Sequence, residues 1–459
     1  MAGFVVVGLS LAFLVFSITL LAPLVPTPQV ALFNFTFDTS LLTLYFFIFC
    51  TLYNSILITV IGIYDRTRAK AEKQSALHSF SIMIPARNEE EMISNTLNSI
   101  LEMDYPSEKF DIIIIDDGSS DRTPQILKRY RRKFSNVSIL RVPFAESGSG
   151  KSSALNRGYK YLLEHHPNVD KENWIIGVFD ADGMPESSML RKVSYQFTQK
   201  KVGAVQTLVR ISNRNDSLLA KLQDIEFVTF AKVTQFVRNI FHGAVALGGN
   251  GQFVRAIALE SIEIVPGQFW RKNALTEDLD LGTRLLLAGW ENTFLATSAV
   301  QQQGVTDLGA LYKQRTRWCW GTLQTFITYL LSLKVFKHKI GLVKKIDLAY
   351  YLSCQIIPPM VLATWLLSLL SMLGIIFVYN PFPAYFMIAN SVSFLPLIGY
   401  GLWTTRREYP LKKLIPFLLI TNAYTYHWII CTMRALLHVL KRDKPLWIKT
   451  AKILAVKTG

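Results

Sequence analysis

Long stretches without charge flank a central region in which apolar and polar positions interleave. Residues 1–37 carry no charged side chain, and neither does Ser40–Ile63. Three further uncharged runs follow late in the chain: Leu348–Tyr379, Pro381–Thr405 and Leu414–Met433. About 20 apolar residues in a helix cross the roughly 30 Å hydrocarbon core of a bilayer, so each run predicts a membrane segment. The first has no Lys or Arg ahead of it and is longer than the apolar core of a signal peptide. It reads as an uncleaved helix that pairs with the second run as a hairpin.

Between these ends, short β-branched runs alternate with helical periodicity. Strands are predicted at Phe80–Pro85, Asp111–Asp116, Val137–Val142, Trp174–Asp180 and Val202–Thr207. Helices are predicted at Glu89–Met103, Asp121–Phe134, Ser152–Glu164 and Asp278–Ala288. A run such as Ile112–Ile115 suits a strand buried on both faces. The alternation predicts an α/β domain whose mostly parallel, Rossmann-like sheet is covered by helices, with ligands at the carboxyl ends of the strands. The predicted organisation is an N-terminal hairpin (1–75), a soluble domain (76–310), amphipathic interfacial helices (311–346), a C-terminal membrane bundle (347–440) and a basic tail (441–459).

Charge sets the orientation. Arg66, Arg68, Lys70 and Lys73 follow the hairpin, and Lys334, Lys337, Lys339, Lys344 and Lys345 precede the third run. The positive-inside bias therefore puts the central domain in the cytosol of an integral membrane protein. Arg406, Arg407, Lys412 and Lys413 precede the last run, and Lys441, Arg442, Lys444 and Lys449 follow it. One span cannot place both groups in the cytosol. Either the last run is re-entrant or interfacial, or the bias fails there. The net charge of +16 falls largely beside these runs. Anionic headgroups of a lipid bilayer account for it better than a nucleic acid does. Four scattered cysteines form neither a disulfide framework nor a CxxC site, and the histidines lack metal-ligand spacing. No feature of the sequence specifies an oligomeric state.

The polar clusters fall where the strand ends are predicted. Asp116-Asp117-Gly118 ends one strand, where acids can hydrogen-bond a base or ribose, although a capped βα turn would look the same. Asp180-Ala181-Asp182-Gly183 ends another. Like charges about 4 Å apart repel by on the order of 1–4 kcal/mol, a repulsion that a divalent cation bridging carboxylate and phosphate oxygens reverses. Ala145–Ser152 (AESGSGKS) fits a loose P-loop pattern, but Ala145 replaces the first Gly and acidic clusters lie on both sides. Lys151 can instead contact a diphosphate as a point charge. Thr276-Glu277-Asp278 opens a helix, where acids often only complement the macrodipole. Asp278 is nonetheless the candidate base for an attacking hydroxyl. On one helix face, Gln314, Arg317 and Trp318 offer a guanidinium fork for a leaving diphosphate and an indole platform for a sugar. An interfacial amphipathic helix would use the same residues.

Taken in order, Pro85–Glu89, Asp116–Asp121, Lys151–Asn156 (KSSALN), Asp180–Asp182, Thr276–Asp278 and Gln314–Trp318 resemble the family-2 inverting glycosyltransferases. The resemblance is to the membrane synthases of cellulose, hyaluronan and chitin in particular, and covers about residues 80–320. It implies a GT-A fold, a nucleotide-sugar donor of the UDP-hexose or UDP-N-acetylhexosamine type, and Mg²⁺ or Mn²⁺. Under it, Pro85, Glu89, Asp116 and Asp117 line the uridine site and Lys151 meets the diphosphate. Asp180 and Asp182 bind donor and metal. Asp278 is the base, with Glu277 and Asp182 beside it in the catalytic group. Gln314, Arg317 and Trp318 close over pyrophosphate and acceptor, and Gly249, Asn250 and Gly251 face the acceptor. QxxRW goes with processive synthesis in these enzymes, so the resemblance implies transfer to a growing β-linked polysaccharide with translocation across the membrane. Three C-terminal runs are fewer than processive members often carry, and no cyclic-dinucleotide domain is expected after them. The alternative is addition of one sugar to a lipid or lipid-linked acceptor. A transporter would leave the strand-end carboxylates without a purpose, and a P-loop NTPase would need no sugar.

Overall fold

A computed structural model describes residues 30–32, 35–37, 77–375, 395–405, 408 and 414–445. Apart from a short antiparallel pair, β1 (Val30–Leu32) and β2 (Phe35–Phe37), the predicted N-terminal hairpin lies outside the described residues. So do most of the run 381–405 and most of the basic tail.

The central domain is built on eight strands: β3 (Ser79–Ala86), β4 (Phe110–Asp116), β5 (Val137–Arg141), β6 (Trp174–Val178), β7 (Met184–Pro185), β8 (Val202–Ile211), β9 (Gln252–Arg255) and β10 (Glu291–Gln302). They lie in the order β5-β4-β3-β6-β9-β8-β10-β7. Strands β5, β4, β3 and β6 are mutually parallel, as predicted. The other half is mixed. β9 runs antiparallel to both β6 and β8, β8 is parallel to β10, and β7 is antiparallel to β10.

Side-chain alternation divides the parallel half between two layers. Ile82, Ile84, Ile112 and Ile114 pack with Ile93, Leu97 and Leu127 from the helices Ile93–Leu101 and Thr123–Lys133. Met83, Ile113, Ile115 and Val178 pack on the opposite face with Leu155, Tyr159 and Leu162 of the helix Lys151–His165 and Leu281 and Leu285 of Glu277–Leu287. All four isoleucines of Ile112–Ile115 are fully buried. The acidic turns thus hang on strands that cannot shift without opening both layers.

Beyond the sheet, the helix Leu308–Thr325 carries Gln314–Trp318 and continues as a wider turn, Phe326–Leu331. Among the described residues one helix, Leu342–Ala363, is long and apolar enough to cross a membrane. The last uncharged run is interrupted at Tyr426, which separates the helices Leu414–Thr425 and His427–Leu440. The Tyr426 backbone itself stays in the right-handed helical region, at φ −68° and ψ −13°. His427–Leu440 lies along Leu308–Thr325. Cys319 and Leu323 are buried with Cys431 and Ala435, and Trp320 stacks on His438 at 4.6 Å.

Candidate active site

The carboxyl ends of β4 and β6 and the loop entering β9 meet at one end of the sheet, because β6 is parallel to β3 on one side and antiparallel to β9 on the other. Asp116 closes β4 and is buried. Its Oδ1 accepts from the Ser119 N–H at 3.0 Å, and Arg141 lies 3.7 Å from its Oδ2. Asp117 is more open. It accepts from the Gly148 N–H at 3.1 Å and so ties the first acidic turn to the loop that leads into Lys151. Pro85 sits in β3 opposite Ile115. Glu89 lies in the turn before the Ile93–Leu101 helix, its N–H donating to Thr123 Oγ1 at 2.8 Å. This helix starts later than the sequence pattern predicts.

Lys151, the first residue of its helix, is the hub. Its side chain is 11% exposed, and Nζ lies 2.5 Å from Asp180 Oδ1 and 3.6 Å from Glu277 Oε1, while donating to the Gly249 carbonyl at 3.1 Å. Burial alone would depress the Lys151 pKa, but Asp180, Glu277 and Asp278 outweigh it and hold the amine charged. Glu277 is buried at the start of Glu277–Leu287 and anchors the lysine. Asp278 is half-buried, and the Leu279 N–H donates to its Oδ1 at 2.7 Å. Burial, and next the charge of Glu277, push Asp278 up to about 7, against the pull of Lys151, the Leu279 N–H and Arg317. A carboxyl poised near neutrality suits a general base. Arg317 donates from Nη1 to the Leu275 carbonyl at 3.0 Å. Burial lowers its pKa even though Glu277, Asp278 and Asp180 act in the other direction.

The remaining predicted residues divide. Asp180 is the accessible acid of its turn, 37% exposed at the side chain, whereas Asp182 is buried and accepts from the Gln303 N–H at 3.0 Å. Gly249 borders the cluster at φ 75°. A Cβ there would stand 2.7 Å from Asp278 Oδ2 and 3.1 Å from Lys151 Nζ. Asn250 is buried behind the loop. Its Oδ1 accepts from the Asp180 N–H at 3.2 Å and its Nδ2 donates to Gln302 at 2.9 Å, so it holds the acidic turn. The Gly251 carbonyl accepts from the Thr207 N–H at 3.0 Å. Gln314 and Trp318 lie half-buried on the helix of Arg317.

Three supporting groups were not legible in the sequence. Gln206 on β8 braces the glycine loop, accepting from the Gly248 N–H at 2.8 Å and donating to the Asn250 carbonyl at 2.8 Å. Asp280, two residues after Asp278 in the same helix, joins Arg271, Arg284 and the Tyr329 hydroxyl. Asn156 of the KSSALN stretch donates to the Trp270 carbonyl and accepts from the Phe269 and Trp270 N–H groups, at 2.8–3.0 Å.

The donor set fits a hard divalent cation. Such an ion takes one or two carboxylates and completes its shell with phosphate oxygens and water. Asp180 is open at the strand end, and a cationic amine already rests on its Oδ1. Among the described residues no group of three or more Asp, Glu, His or Cys is arranged to hold a metal ion without substrate oxygens.

Strand ends that carry one open carboxylate, a buried lysine between it and two further carboxylates, and a carboxyl poised near neutrality have the make-up of a nucleotide-sugar glycosyltransferase with a GT-A-like fold. Residues 78–321 match the family described as glycosyltransferase like family 2. The chain is 32% identical over 410 residues to a beta-monoglucosyldiacylglycerol synthase of Trichormus variabilis, which covers 86% of this chain and 82% of that one. It is 24% identical over 393 residues to a poly-beta-1,6-N-acetyl-D-glucosamine synthase of Staphylococcus epidermidis, covering 82% and 87%. Among solved structures, the mannosyltransferase PcManGT from Pyrobaculum calidifontis in complex with GDP-Man and Mn²⁺ matches with a TM-score of 0.53 over 87% of this chain and 99% of that one. At 16% identity this likeness speaks to the fold. The chain belongs to the family-2 glycosyltransferases.

Proposed function

We propose that this glycosyltransferase moves one sugar from a UDP-sugar to the hydroxyl of a membrane lipid, with inversion at the anomeric carbon, at the cytosolic face of a bilayer. The observation that carries the lipid acceptor is the likeness to beta-monoglucosyldiacylglycerol synthases along most of both chains. Placement at a membrane is supported by the helix Leu342–Ala363 and by the surface formed by the segment before it and its own first turns. There Leu331, Leu333, Phe336, Leu342, Val343 and Ile346 are exposed beside Lys334, Lys337 and Lys339, a composition suited to an anionic headgroup layer.

In the mechanism Asp278 takes the proton of the acceptor hydroxyl, which attacks the anomeric carbon opposite the diphosphate. Lys151 and Arg317 offset the charge that builds on the departing UDP. Asp180, supported by Asp182, would hold Mg²⁺ or Mn²⁺, which neutralises diphosphate charge when bound. Glu277 keeps Lys151 in place, and Trp318 carries the acceptor.

A second reading, stepwise extension of a polysaccharide, is favoured by the QxxRW spacing and by the likeness to a poly-beta-1,6-N-acetyl-D-glucosamine synthase. Membranes incubated with UDP-glucose, UDP-N-acetylglucosamine, UDP-glucuronate, UDP-galactose or GDP-mannose identify the donor. With that donor, Asp278→Asn abolishes transfer and leaves UDP binding intact. Retained transfer removes Asp278 as the base.

A further inference from the structure

Arg315 lies inside the QRTRW stretch but takes no part in the face formed by Gln314, Arg317 and Trp318. It is 1% exposed, and its Nη2 donates to Glu226 Oε2 at 2.7 Å. Its guanidinium lies 4.1 Å from the centre of the Trp318 ring, 5.3 Å from Trp428 and 5.4 Å from Phe227. Glu226 is shared. Its Oε2 accepts from the Tyr424 hydroxyl at 3.0 Å and its Oε1 from Trp428 Nε1 at 2.9 Å. Tyr424 and Trp428 stand on either side of the interruption at Tyr426, while Glu226 and Phe227 belong to the helix Leu218–Thr229. One ion pair therefore ties together three segments far apart in sequence, and the Trp318 indole meets both the Arg315 guanidinium and the Phe227 ring, the latter at 6.1 Å between centres and 70° between planes.

A buried ion pair is a poor way to gain stability, because desolvation opposes the attraction. It is a good way to fix orientation, since a planar guanidinium both stacks on an indole and directs its donors. We propose that Arg315 and Glu226 are positioning residues. They set the plane of Trp318 and clamp the last hydrophobic run against it, so that the wall of the acceptor entrance is made by Tyr424 and Trp428. The inference rests on the reading that Trp318 carries the acceptor, and it predicts an effect on acceptor use that spares the donor.

The test uses the full chain in mixed micelles, with dioleoylglycerol as acceptor and the UDP-sugar selected by the donor panel. Arg315→Lys and Glu226→Gln, both of which keep polar partners in the cage, raise KM for dioleoylglycerol about tenfold. The Kd for UDP stays within about twofold, and the double variant is no worse than the worse single one. Unchanged acceptor KM, an equal change in UDP affinity, or additive effects overturn the clamp. Trp318→Ala is measured alongside. If it too leaves acceptor KM unchanged, the role given to Trp318 fails first. If wild-type enzyme elongates a polymer instead, the lipid reading alone fails, and the same variants are compared through KM for an oligosaccharide primer.

Discussion

Replacing Lys151 by Met removes the positive charge between Asp180, Glu277 and Asp278 while keeping an unbranched side chain of similar length. The amine is 2.5 Å from Asp180 and 3.6 Å from Glu277, and its charge is one of the effects that lower the Asp278 pKa. Without it, burial and the charge of Glu277 act on Asp278 with less opposition. An opposite charge within about 4–6 Å shifts a carboxyl by about 1–3 units. Because Asp278 is half-buried and Arg317 remains, the lower end applies, and its pKa moves from about 7 to roughly 8. Asp278 must be ionised to accept a proton, so the sign is set: activity rises with pH through this value, and the rise is displaced to higher pH in the variant. Near pH 7 the ionised fraction falls from about one half to about one tenth, a roughly fivefold loss beyond any weakening of diphosphate binding. The assay is kcat/KM for the donor between pH 5 and 9.5, which follows groups of the free enzyme. Lys151→Arg, which keeps the charge, is the control and leaves the limb in place. An acidic limb that stays put in Lys151→Met, or moves down, refutes the electrostatic account of Asp278.

Gly249→Ala places a Cβ in contact distance of both Asp278 and Lys151 at a backbone angle suited to glycine, so kcat falls at least tenfold and the melting temperature falls by a few degrees. Asn156→Leu strands two backbone N–H groups and a carbonyl in the core, at about 1–3 kcal/mol for each unsatisfied group. Even the lower limit, about 3 kcal/mol for the three groups, lowers the melting temperature by about 6–12 °C for a domain of this size, as calorimetry or thermal fluorescence would record. Chelation with EDTA abolishes transfer, and Mg²⁺ or Mn²⁺ restores it; Asp180→Asn raises the metal concentration needed for half-maximal activity by at least tenfold.

Much of the catalytic half was legible in the sequence because its strands are short, continuous apolar runs, as in Ile112–Ile115, and its acids stand at their ends. The second half was not. β10 reads ENTFLATSAVQQ, mixing polar and apolar positions, and its pairing with β8 is broken between Leu295 and Ala299. No simple period survives such an irregularity. β9 has only four residues and follows a glycine-rich loop, so its antiparallel insertion gives no local signal. The motif residues Asp180, Glu277 and Asp278 do meet around Lys151, yet Asn250 turned inward, to a role set by partners on other strands. Glu226 could not be found from sequence at all, since it meets Arg315 across 89 positions.

The most direct test of the account is the product itself. Wild-type enzyme given its UDP-sugar, in which the sugar is α-linked, and dioleoylglycerol is analysed by mass spectrometry for size and by NMR for anomeric configuration. The account predicts one sugar in β linkage on the lipid, and no such product from Asp278→Asn. A long carbohydrate chain, or an α-linked sugar on the lipid, contradicts it.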